Sequence, residues 1–209
     1  MICTDKARIS FLKKQQLLNF KNHPKKPYGF LKQNDDHQVF TNGLYYIILK
    51  GDSQIQDEAI YYYEKPPKGT LLFNRGRTRI TFEELAKNEY KSLPNGIDEM
   101  PIEHSRDYVD VKGLYTFLDA VPPECRNTVL SKVCCLEIEG QLYYLEAELL
   151  LIALKLAFSK VKYVELNFHR NLLKISSDEN DNLAYVLLVL DAEKVLKSKL
   201  KVCSTYHLD

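Results

Sequence analysis

The sequence predicts an α+β fold in which antiparallel sheets carry helices on one face. Three features lead there. In ALKLAFSKVKYVELNF, residues 153–168, apolar residues keep helical spacing up to Phe158 and alternate from Val164 onward, so a helix runs directly into a half-buried strand. Between residues 28 and 82 come short segments rich in Tyr, Ile, Leu and Phe, divided by turn formers, which is the signature of a meander. Both halves of the chain open with a helical pattern and continue into strands, as expected when helices cover one face of a sheet.

Taken in order, the first helix is expected from Lys6 to Phe20, with Ile9, Leu12, Leu17, Leu18 and Phe20 inward. It ends before NHPKKPYG, whose prolines and glycine cannot continue it. Strands follow in YGFLKQ, HQVFTNGLYYIILK, AIYYYEK, TLLFNRG and TRITF. Asn42-Gly43 marks a tight hairpin, because both residues tolerate the positive φ of a type I′ turn. Thr81 and Glu84 form a capping box for a short helix over residues 82–93.

SLPNGIDEMPIEHSRD reads as a polar connection and places a boundary near residues 94–108. Two unequal domains result, residues 1–100 with a basic first helix and a β-meander, and residues 101–209. The second is expected to hold a helix at 111–121, two strands around Gly140, the helix 147–158, and antiparallel strands in VKYVELNF, LLKISS and LAYVLLVLD. The tail from Glu193 alternates apolar residues with lysines and fits a short helix, a last strand, or both.

Composition excludes several classes. The apolar and charged fractions, 45% and 27%, are those of a soluble globular protein, and 209 residues can bury one large core or two modest ones. The longest apolar run, LLLIAL, falls well short of the roughly 20 residues a spanning helix needs, so no membrane partner is expected. The N-terminus mixes charge through its apolar positions and does not read as a signal peptide. Five cysteines without framework spacing point to a reducing, cytoplasmic setting, and Cys134 and Cys135 read as buried strand residues. The five histidines lie at no zinc-ligand spacing, so neither metal nor cofactor is expected.

Charge is nearly balanced overall but unevenly spread. Residues 1–32 hold Lys6, Arg8, Lys13, Lys14, Lys21, Lys25, Lys26 and Lys32 against Asp5 alone, while residues 83–124 are acidic. Such a face suits phosphates, through counterion release, and equally suits a solvated amphipathic helix. Arg75, Arg77 and Arg79 stand at i, i+2 and i+4, so on a single strand they would share one face, either as a phosphate patch with Phe73 and Tyr61–Tyr63 for stacking or as solvated residues paired with Glu64 or Glu83. Gly-x-Ser-x-Gly, a phosphate-binding glycine loop and His-Glu-x-x-His are absent, and Glu137 and Glu139 read as the wet side of one strand, so no catalytic residue is assigned.

The C-terminal order LLLIALKLAF, VKYVELNF, LLKISSDEN and AYVLLVLD resembles the final domain of the bacterial DNA polymerase sliding clamp, the beta clamp, best over residues 145–191. QVFTNGLYYIIL is similar to the clamp's strand pair around a Thr-Asp-Gly turn, here Thr41, Asn42 and Gly43. GRTRITFEELAKNEYKSLP is similar to the stretch that ends a clamp domain, with Gly76, Arg79, Leu85, Tyr90, Leu93 and Pro94 in the matching places. The chain between Lys50 and Arg75 is too short for the second helix of a full clamp domain, and 209 residues are too few for three domains. The resemblance therefore implies a shortened, divergent two-domain relative, of the kind a phage or mobile element would carry.

It further implies a DNA-clamp-like fold and a protein without enzymatic activity, acting in or beside DNA replication. Clamp protomers close a ring around duplex DNA as a homo-oligomer, helices line the channel, and replication proteins insert a short peptide into an apolar pocket. The family's closing strand gives that pocket Met-Pro-Met, and Leu188, Val189 and Leu190 stand in those places with Leu172 and Tyr185 as neighbours. The proline is lost, and the three residues either line a peptide groove or fill the core of a strand. Helix 147–158 offers phosphates only Lys155 and helix 111–121 only Lys112, which leaves the N-terminal basic residues to meet DNA. The alternative is a small nucleic-acid-binding or protein-interaction module that modulates replication and forms no ring.

Overall fold

The computed structural model describes residues 30–33, 37–41, 44–54, 61–62, 71–75, 78–81, 100–122, 132–189 and 203–208. The expected helices at 6–20 and 82–93 lie outside these residues. In chain order the strands are β1 (Phe30–Gln33), β2 (His37–Thr41), β3 (Tyr45–Lys50), β4 (Tyr61–Tyr62), β5 (Leu71–Arg75), β6 (Thr78–Thr81) and β7 (His104–Asp110). Helix α1 (Val111–Ala120) follows, then β8 (Val133–Ile138), β9 (Gln141–Glu146), α2 (Ala147–Ala157), β10 (Tyr163–His169), β11 (Leu172–Ser177), β12 (Asn180–Leu187) and β13 (Thr205–His207).

Eight strands form one sheet in the order β4-β1-β2-β3-β12-β11-β10-β7, three form a second in the order β13-β8-β9, and β5 pairs with β6. β10, β11 and β12 are consecutive antiparallel neighbours, as expected for the three strands that follow the helix. β3 pairs with β12 in register Leu183↔Ile48 and Tyr185↔Tyr46, so the large sheet runs unbroken from strands before residue 100 to strands after it.

One face of this sheet is the floor of the core. Tyr45, Ile47 and Leu49 of β3, Ala184 and Val186 of β12, Leu173 and Ile175 of β11, and Leu166 and Phe168 of β10 all point inward and are buried. Helix α2 packs on β3, β9 and β12 and beside α1. Nearly all of AELLLIALKLA is buried, which explains an apolar pattern that wraps most of the helix. Its ends are answered by other elements. Lys132 O accepts from Ala147 N at 2.8 Å, and Ala157 O accepts from Asn182 Nδ2 at 2.7 Å and Asn180 Nδ2 at 3.0 Å. Helix α1 starts at Asp110, whose Oδ2 accepts from Gly113 N at 2.8 Å.

Several expectations are corrected. β4 joins β1 in parallel, which a simple meander excludes. β7 lies in the stretch read as a polar connection, because an edge strand that buries only Val109 shows no alternation. Glu139 is not on the strand face of Glu137. It sits with Gly140 in the two-residue turn joining β8 to β9, at φ +51 and +79, the positive pair of a type I′ hairpin. Arg75 ends β5 opposite Thr78, and Arg79 lies on β6 opposite Asn74, so no single strand carries the arginines, and the connection that holds Arg77 is outside the described residues. Tyr61 and Tyr62 lie in the large sheet and Phe73 in the β5-β6 pair. The tail's described end is the strand β13, one of the forms its pattern allowed, and it runs parallel to β8.

Candidate functional site: an apolar face of the large sheet

Strands buried on one face only should alternate apolar with polar residues. YYIILK and LAYVLL do not alternate, because β3 and β12 are apolar on both faces. Their second face gathers Tyr46, Ile48, Leu183, Tyr185 and Leu187, and β11 adds Leu172 through the pair Leu172↔Leu187. Tyr185 and Leu172 are buried at its centre, while Tyr46, Ile48, Leu183, Leu187 and Met100 are half-buried around them.

One end of this face opens to solvent. Leu44 is 44% exposed and its carbonyl accepts from Leu187 N at 2.9 Å, which holds it beside the end of β12. Ile102, 55% exposed, follows Met100 and Pro101 on the approach to β7. That approach is fastened to the β10 strand by Glu103 N donating to Phe168 O at 2.7 Å and by His169 Nδ1 at 3.0 Å from Pro101 O. A carbonyl only accepts, so Nδ1 carries a hydrogen. His169 is buried, and its Nε2 has no hydrogen-bond partner among the described residues. His169 pairs with Leu172 across β10 and β11 and therefore shares its face, so the apolar surface is flanked by one unsatisfied ring nitrogen.

The structure distributes the sequence-derived groove residues unevenly. Leu172 and Tyr185 meet on this face. Leu188 turns the other way, is 8% exposed, belongs to the main core and bridges to Leu145. Val189 is half-buried and donates its N–H to Tyr144 O at 2.7 Å, and Leu190 is outside the described residues. Leu44, Tyr46, Ile48, Met100, Ile102, Leu183 and Leu187 were not singled out by sequence reasoning. Unbroken apolar runs in β3 and β12 were the available signal.

The basic residues Lys6, Arg8, Lys13, Lys14, Lys21, Lys25 and Lys26 all lie outside the described residues. Within α1 and α2, Lys112 and Lys155 are balanced by Asp119 and Glu148, and Lys155 Nζ sits 5.1 Å over the Tyr115 ring. Among the described residues these helices present no cationic face. No group of three or more potential metal ligands occurs among the described residues. No helix there is long and apolar enough to cross a membrane. Cys134 and Cys135 are buried in β8, and burial pushes the Cys135 thiol up to about 12, which leaves it a thiol and a poor nucleophile at neutral pH.

The two sheets are clipped together by side chains. Tyr143 of β9 stacks on Phe168 of β10 with ring centroids 4.4 Å apart, and its hydroxyl lies 2.6 Å from His104 Nδ1 of β7. Burial, followed by the charge and hydrogen bond of Glu103, pushes the phenol up to about 12.

The chain is similar to bacterial DNA polymerase sliding clamps. DNA polymerase III subunit beta from Borrelia burgdorferi, solved in complex with a natural product, is 14% identical with a TM-score of 0.41 over 87% of this chain and 62% of that one. The DNA polymerase sliding clamp from Pseudomonas aeruginosa is 11% identical with a TM-score of 0.39 over 91% of this chain and 66% of that one. The chain thus covers less than two thirds of the length of either. No protein-family model matches the sequence, and no curated protein matches it.

Proposed function

We propose that this protein acts by binding and not by catalysis, and that it docks a short apolar segment of a partner protein on the second face of its large sheet. The observation that carries this reading is the cluster of Tyr46, Ile48, Leu172, Leu183, Tyr185 and Leu187, open at Leu44 and Ile102 and flanked by the unsatisfied His169 Nε2. Exposed leucine and isoleucine at the rim of a half-buried apolar face lose water-exposed area when a partner covers them, worth roughly 25 cal/mol per Å². The clamp-like pattern of residues 145–191 supports a setting in or beside DNA replication, with a replication protein as the source of the segment and a homo-oligomer as one assembled form.

The test is fluorescence polarisation of a labelled pentapeptide rich in leucine and phenylalanine. Binding to the wild type and at least tenfold weaker binding to Leu187→Asp and Ile102→Asp, with thermal midpoints kept, is the expected outcome. Equal affinity for wild type and both variants sinks the proposal.

A second reading adds duplex DNA, supported by the eight basic residues against one acidic residue in residues 1–32. Gel shifts at low and moderate salt are expected to show affinity falling steeply with salt and weakening for all sequences on charge reversal at Lys13, Lys14, Lys25 and Lys26. Salt-independent binding, or none near micromolar protein, removes DNA from the account.

A further inference from the structure

Among the described residues β7 is an edge of the large sheet and β13 an edge of the three-stranded one, and the two do not pair. They face each other across a polar cleft of about 490 Å³ lined by Ser105, Arg106, Asp107, Asp110, Tyr206 and His207, among others. An edge strand turns the N–H and C=O of alternate residues away from its neighbour. On the tail, Ser204 O and Leu208 N bond to β8, so alternation turns the backbone groups of Thr205 and His207 to the cleft side. Docking of the tail is firm. Leu208 is buried in the main core, the Tyr206 and Phe117 rings lie 5.1 Å apart, and His207 Nδ1 is 3.0 Å from Glu137 Oε2.

Across the cleft, β7 carries a bulge, three residue steps from Arg106 to Val109 opposing two from Leu166 to Val164. Tyr108 within it is 75% exposed at φ +56, a conformation an aromatic residue adopts only at a cost. Its ring meets Tyr163 edge-on at 6.2 Å, and a second hollow of about 370 Å³ continues past it. The two hollows are lined by five carboxylates, Asp107, Asp110, Glu165, Asp178 and Glu179, against Arg106. Lys162 lies beside them with its Nζ 4.8 Å over the Tyr163 ring.

We propose that the cleft between β7 and β13 takes an extended segment of a partner protein bearing lysine or arginine, which adds as a strand between the two edges and packs against Tyr108. Two facing edges supply the backbone donors and acceptors, the carboxylates select a basic chain, and the exposed ring supplies a surface for its side chains. The same charge opposes a nucleic acid. This site is separate from the apolar face and stands or falls independently of it.

Isothermal calorimetry of the full chain with an acetylated, amidated heptapeptide of alternating lysine and threonine tests the proposal, alongside amide hydrogen exchange at residues 104–110 and 205–207. The peptide is expected to bind and to slow exchange in both segments. N-methylation of alternate peptide bonds, glutamate in place of lysine, and the variant Tyr108→Gly should each weaken binding at least tenfold. Tyr108→Gly should not lower the thermal midpoint, because glycine accepts the positive φ. Absence of binding overturns the proposal, as does slowed exchange confined to other segments. Equal affinity for the N-methylated peptide would reduce the site to an acidic surface and also overturn it.

Discussion

Tyr143 joins the two sheets through one ring and one hydroxyl, and its position makes a pH-dependent contribution to stability. The folded-state phenol is pushed up to about 12 from an ordinary 10, chiefly by burial. Because the folded value lies above the unfolded one, the stabilisation is complete below pH 10 and is lost as pH rises toward 12, where the unfolded chain gives up its proton first. Urea unfolding at pH 8 and pH 11 should show the wild type losing about 1 kcal/mol more over that interval than Tyr143→Phe. Equal losses would remove Tyr143 from the alkaline limb. Cysteine reactivity is graded by the same physics. With Cys134 and Cys135 buried and the Cys135 thiol raised, iodoacetamide at neutral pH should modify the half-exposed Cys203 before either, as read by mass spectrometry of the folded protein. Adjacent cysteines in an apolar run were legible as strand residues. The Tyr143 and His104 clip was not, since 39 residues separate its members and no local pattern reports such a pair.

At the scale of elements, the junctions around α1 and α2 carry the sharpest expectations. Gly113 in α1 faces the cap of its own helix. A Cβ there would stand 2.9 Å from Asp110 Oδ2 and 3.1 Å from Tyr206 Oη. Alanine normally gains about 1 kcal/mol over glycine within a helix, yet Gly113→Ala is expected to lower stability by displacing the cap, and Asp110→Ala should cost about 1 kcal/mol by removing it. Thermal or urea unfolding decides both, and a stabilised Gly113→Ala would show the cap to be dispensable. Asn182 is buried, with Oδ1 accepting from Lys50 N at 2.9 Å and Nδ2 donating to Ala157 O, so it ties the ends of β3 and α2 to β12. Asn182→Leu should cost about 1–3 kcal/mol by orphaning Lys50 N, while Ala157 O keeps Asn180 Nδ2 as a donor, measured by urea unfolding. The switch from helix to strand after Phe158 was legible because α2 is apolar on most sides while β10 alternates where it begins. β7 was not, since its outward residues are polar and its bulge breaks the period of two. β13 stayed one of the alternatives for the tail because three residues are too few to show a period.

For the whole molecule, the pairing of β3 with β12 matters most. It lets Phe40, Tyr45, Ile47 and Leu49 share one core with α1, α2 and the later strands. Leu49→Ala should therefore lower the stability of the entire described fold by roughly 2–5 kcal/mol. Calorimetry is expected to show its transition shifting as one, whereas a shift confined to part of the transition would mean the strands before residue 100 unfold separately. Sequence patterns placed most strands of each half but could not say that β3 meets β12, because pairing between segments so distant along the chain leaves no local mark. The same gap hid the apolar face, which exists only once β3, β11 and β12 lie side by side. Its role is tested most directly by photo-crosslinking. A pentapeptide rich in leucine and phenylalanine, carrying a benzophenone, would be bound to the full chain, irradiated and mapped by mass spectrometry. Docking on this face predicts crosslinks at Leu44, Met100–Ile102 and Leu183–Leu187, lost on addition of unlabelled peptide. Competable crosslinks confined to α1, α2 or the cleft beside Tyr108, with none on the face, would contradict it.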